Sequence, residues 1–121
     1  MRVLPTTGNM FGFQRLHAYR ASTEFLGVAS RLVAKVPKGH GDLVDQLRRA
    51  ALSVPLNIAE GSGKFSRDAM RFYTIARGSA LECAAILDAL EAIGVFDQPA
   101  LMPARELLER IVSMLTGLIR P

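Results

Sequence analysis

With 121 residues, half of them hydrophobic, the chain is sized for one domain around one core. No apolar run approaches the roughly 18 residues of a membrane span, and a lone cysteine, Cys83, excludes an internal disulfide. The net charge of +4 is unevenly spread: Arg15 to Lys38 is basic, and Gly78 to Pro121 is acidic. That polarity favours phosphate contact or self-association between unlike faces.

The first elements come in chain order. Residues 1–12 hold Pro5, Thr6, Thr7, Gly8 and Asn9 and read as a flexible tail ahead of a helical domain over 13–121. Met1 to Met10 carry no apolar stretch of the secretory type, so the expected compartment is the cytoplasm. A first helix is expected from about Gln14 to Val36, with a seam of Leu16, Tyr19, Thr23, Leu26, Ser30 and Val33. Pro37, Gly39 and Gly41 stop it. The second starts near Asp42, read as its N-cap, and carries Leu43, Leu47, Ala50, Val54, Asn57 and Gly61. Pro55 lies inside this pattern and predicts a kink, because its ring crowds the carbonyl of Ala51.

Ser66 reads as the cap of a third helix with the seam Phe72, Ala76, Ser79, Cys83, Ile86, Leu90 and Ile93, closed by Gly94. A fourth helix begins between Gln98 and Pro103 and carries Leu101, Ala104, Leu108, Ile111, Leu115 and Leu118. Four amphipathic segments with short connections predict an all-α, antiparallel, up-down-up-down four-helix bundle. Tyr73, Leu81, Leu87, Leu107, Val112, Met114 and Ile119 fall off these seams, and such two-sided helices point to self-association.

Chemistry is sparse. His17 and His40 stand on different elements without carboxylates or cysteine at metal-ligand spacing, and Cys83 sits on a core seam. The expectation is a non-enzymatic protein with no metal and no cofactor. Gly61-Ser62-Gly63-Lys64 resembles the tail of a phosphate-binding loop, but Ile58 stands where that loop needs glycine and no strand precedes it. It reads as a helix–helix turn, with a weaker option kept open. In that option Lys64, Arg67 and the free N–H groups near Ser66 hold one phosphate at a helix N-terminus.

Gln46, Arg49, Ser53, Asn57 and Glu60 form a polar row at three- and four-residue spacing, which Arg71, Arg77, Ser79 and Glu82 of the third helix could face. Interleaved acids and bases favour a structural or interfacial network over a ligand site. Nucleic-acid contacts are expected from Arg15, Arg20, Arg31, Lys35, Lys64 and Arg67. The rival expectation is a structural or protein-interaction module that binds no nucleic acid.

The run QLRRAALSVPLNIAEG from Gln46 to Gly61 resembles a signature of the four-helix bundle proteins encoded by intervening sequences of large-subunit ribosomal RNA genes. That family includes the accessory variability proteins of diversity-generating retroelements. IARGSALE (Ile75 to Glu82) resembles its second signature and MLTGLI (Met114 to Ile119) its closing helix, so the likeness covers Phe13 to Ile119. Tyr19 and Lys64 stand where Trp and Arg are common, keeping aromatic bulk and charge. The resemblance implies an antiparallel bundle assembled as a homopentameric ring or barrel. For the retroelement branch it also implies a basic surface for RNA or DNA and a reverse transcriptase partner.

Overall fold

The computed structural model describes residues 10–120. Four helices follow in order: α1 (Met10–Val33), α2 (Gly41–Ser62), α3 (Ser66–Ala92) and α4 (Gln98–Ile119). Helix α1 packs on α2 and α4, and α3 packs on the same two, while the backbones of the diagonal pairs stay apart. The result is a four-helix bundle. The expected tail over 1–9 lies outside the described residues, but residues 10–12 are helical and Gly12 is buried.

Helix ends depart from the expected caps for local reasons. The last turn of α1 tightens at Val33, where Lys35 and Val36 bond back to the carbonyls of Leu32 and Val33. Gly39, at a φ of 103°, then turns the chain. The N-cap position of α2 is His40, without a side-chain bond, so Asp42 stands in the first turn and supports the helix dipole instead. Phe65, not Ser66, occupies the N-cap position of α3, and it too gives no side-chain bond. Among the three N-caps that lie in described residues, that of α4 alone bonds through its side chain, with Ala100 N–H donating to Asp97 Oδ1 at 3.1 Å. Pro55 is buried in an α2 that stays one helix from Gly41 to Ser62.

The core confirms the α4 seam, widens that of α3, where Ala76, Cys83, Ile86 and Leu90 are buried as expected, and re-phases that of α1. On α4, Leu101, Ala104, Leu108, Ile111, Leu115 and Leu118 are all buried. On α1 the buried stripe is Ala18, Ala21, Ser22, Phe25, Ala29, Leu32 and Val33, while Thr23 and Ser30 of the expected seam are exposed. Fully burying Phe25 stabilises the fold by roughly 1.5–3 kcal/mol. Ser22 is tolerated at 0% exposure because its hydroxyl donates to Tyr19 O at 2.7 Å.

On α3, Tyr73 and Leu87 belong to the core, whereas Ile93 is exposed and Phe72 and Ser79 are half-buried. Leu107 is buried as well, and Val112, Met114 and Ile119 pack partly against the core. Of the side chains expected to lie off the seams, Leu81 alone stays exposed. The other exposed large apolar groups include Leu52 and Leu56 on α2 and Ile75 on α3.

Candidate functional site

The polar row divides between two interfaces. On the α2–α3 side the Ser53 and Ser79 hydroxyls share a hydrogen bond of 2.8 Å. Asn57 Nδ2 donates to Ser53 O at 2.8 Å and to Ser53 Oγ at 3.0 Å. These half-buried groups satisfy one another within one subunit. Gln46, Arg49 and Glu82 are exposed, and Glu60 pairs with Lys64 at 3.4 Å.

Arg77 does not join this row. Its Nε donates to Thr116 Oγ1 of α4 at 2.8 Å, and Thr116 in turn donates to Val112 O. Two residues along a helix are about 200° apart, so Arg77 and Ser79 must face different neighbours. Arg71 lies over the ring of Phe72, 4.6 Å from its centroid.

The six expected basic residues fall into three places. Arg20 and Arg31 are exposed on α1, eleven residues apart, which returns them to one side of the helix, and Lys35 is exposed in the turn that follows it. Arg20 borders a groove of about 350 Å³ between α1 and α4, shared with His17, Glu24 and Arg110. Arg110 was masked in the sequence by the acidic balance of its segment. Arg67 is exposed in the first turn of α3. Arg15 and Lys64, 49 positions apart in the chain, meet in a pocket at one end of the bundle.

That pocket has a volume of about 260 Å³. Arg15, Lys64, Ser66 and Tyr73 supply its polar groups, and Met70 and Leu118 part of its apolar wall. Tyr73 is held there by a close approach to Gly61, where an added Cβ would lie 2.7 Å from Tyr73 Cε1. The Tyr73 residue is 3% exposed. Its Oη and Arg15 Nε are both buried without a hydrogen-bond partner, a condition that costs about 1–3 kcal/mol for a neutral group. Burial pushes the phenol above its usual pKa, and the nearby Arg15 guanidinium pulls it part of the way back. The third such atom among the described residues, Gln14 Oε1, belongs to a side chain beside Gly117.

All of these residues but Leu118 lie within a sequence span that known proteins share. The family model for the 23S rRNA-intervening sequence protein matches residues 14–117. The chain belongs to this family. No curated protein matches it. The two signature runs of this intervening-sequence protein carry the Ser53–Asn57–Ser79 cluster and end one of them on Gly61, so what they encode here is the fit of α2 against α3.

Cys83 is fully buried, and its thiol is pushed up to about 12, first by burial and then by the charge of Glu82. A thiol held neutral in this way is a poor nucleophile. Among the described residues no three His, Cys, Asp or Glu side chains group closely enough to hold a metal ion. No helix among them is long and apolar enough to cross a membrane.

Proposed function

We propose that this intervening-sequence protein acts without catalysis in the cytoplasm, as a homo-oligomeric scaffold that holds RNA or DNA along the outer face of α1. The observation that carries the reading is the pair Arg20 and Arg31 exposed on one side of α1, followed by exposed Lys35 in the next turn and flanked across the groove by Arg110. None of the four makes an ion pair among the described residues. Exposed cations on one side of a helix attract phosphate backbones and release counterions on binding. A pentamer, the assembly that the family resemblance implies, would carry about +20 in total from +4 per chain. Leu52 and Leu56, one helical turn apart and exposed on α2, are the apolar groups best suited to subunit contact. A reverse transcriptase is the protein partner proposed for this scaffold.

The test is binding to structured RNA and duplex DNA across a salt series, with oligomer mass measured by light scattering. Replacing Arg20, Arg31 and Lys35 together by Glu is expected to weaken binding at least tenfold and flatten its salt dependence, with the mass unchanged. Unchanged affinity overturns the α1 surface. Absence of binding at low salt by the intact oligomer favours the second reading, a protein-interaction module. The exposure of Gln46, Arg49 and Glu82, together with that of Leu56, supports that reading.

A further inference from the structure

The pocket at the bundle end gathers more hydrogen-bond donors than acceptors. Its charged groups, Arg15 and Lys64, are both cations, and neither a guanidinium nor an ammonium has a lone pair to accept the Tyr73 proton. Tyr73 Oη and Arg15 Nε are both buried without a hydrogen-bond partner, although the guanidinium lies close enough to the phenol to lower its pKa. Helix α3 starts on the same wall. Its backbone bonding begins with the N–H groups of Asp68 and Ala69, both to Phe65 O, which leaves those of Ser66 and Arg67 pointing out of an uncapped helix end. A second cation or an apolar guest would leave every one of these groups unsatisfied. An anion with several acceptor oxygens satisfies them together.

We propose that this pocket binds a single phosphomonoester group, with Arg15, Tyr73, Lys64 and the start of α3 on its oxygens and a small organic remainder against Met70 and Leu118. Two negative charges match two cations, and the free oxygens outnumber those of a carboxylate, which fits a wall with this many donors. The phenol, its pKa raised by burial, keeps its proton at neutral pH and donates it. Lys64 is held by Glu60 at 3.4 Å through a pair that is half exposed on both sides, an interaction weak enough to yield to a dianion. At about 260 Å³ the space admits one phosphate and a modest attachment, so the site is separate from the α1 face and independent of the function proposed for it. The phosphate can come from a free small molecule or from the phosphorylated 5′ end of a nucleic-acid strand.

Calorimetric titration of the full chain with inorganic phosphate, AMP and a pair of hexanucleotides bearing a 5′-phosphate or a 5′-hydroxyl tests the site. At least one phosphomonoester probe is expected to saturate. Y73F, which removes only the hydroxyl, and R15Q are each expected to weaken that binding about tenfold or more. Saturation by phosphate or AMP assigns a free ligand, and saturation by the 5′-phosphorylated strand alone assigns a strand end. Three outcomes overturn the proposal: no probe saturates at millimolar concentration, both variants bind as well as wild type, or the 5′-hydroxyl strand binds as tightly as its phosphorylated twin. The Arg20/Arg31/Lys35 triple Glu variant is expected to retain phosphate binding, and its loss there would move the site to the α1 face.

Discussion

Gly61→Ala is the smallest change that reaches both the helix packing and the end pocket. The backbone at Gly61 has an ordinary negative φ, so the residue is required by space and not by conformation. A methyl group there would stand 2.7 Å from Tyr73 Cε1 and 3.1 Å from both Tyr73 Cδ1 and Phe72 Cβ. The first contact is with a ring that is 3% exposed, so it cannot swing into solvent. Overpacking of this severity costs about 2–3 kcal/mol. Replacing glycine by alanine in a helix returns about 1 kcal/mol. The balance is a destabilisation of about 1–2 kcal/mol. For 121 residues the unfolding entropy is about 0.25 kcal/mol per kelvin, so Tm should fall by about 4–8 °C.

Gly78→Ala provides the control. It is exposed in the middle of α3 with nothing within 4 Å of the added Cβ, so the helix gain stands alone and Tm should rise by up to about 4 °C. Differential scanning calorimetry reads both variants. A Gly61→Ala protein that melts at or above the wild-type temperature refutes the claim that Tyr73 is packed against this glycine.

Two further perturbations follow from the same structure. Ser53→Ala removes the bond to Ser79 and one of the two acceptors of Asn57, so a loss of about 1–2 kcal/mol is expected in urea unfolding; an unchanged midpoint counts against the cluster. Stability should also fall in alkali. Below pH 9 the Cys83 thiol is protonated in both states; between 9 and about 12 the unfolded chain loses the proton that the folded one keeps. Each pH unit in that window should cost about 1.4 kcal/mol, with buried Tyr73 adding to the loss above 10. Cys83→Ala should reduce the slope, and identical alkaline slopes in the two proteins would exclude Cys83 as its source.

Helix number and the glycine turns were legible in the sequence, and so was the whole α4 seam, where aliphatic residues recur without a break from Leu101 to Leu118. Helix α1 was not, since two phases satisfy the same three-four spacing. The one that won sets Phe25 among Ala18, Ala21, Ser22 and Ala29, small residues with little hydropathy but the right size for a close neighbour. Tyr73 and Phe72 posed the same ambiguity on α3, and the gap left by Gly61 on α2 decided it. Composition located the basic residues but not their grouping. Arg15 meets Lys64 only because α1 and the α2–α3 turn share one end of the bundle, a relation that no periodicity along the chain contains.

The cycle of contacts α1–α2–α3–α4–α1 has no privileged starting point. Three of its four interfaces are bridged by loops; the fourth, between α1 and α4, has no loop across it and sets Gln14 beside Gly117. A short covalent link across that gap, with a new opening at the Gly39 or Gly94 turn, would leave every helix with its original neighbours. The fold is thus a ring in its packing and a line only in its backbone, and chain order could be permuted without redesigning the core.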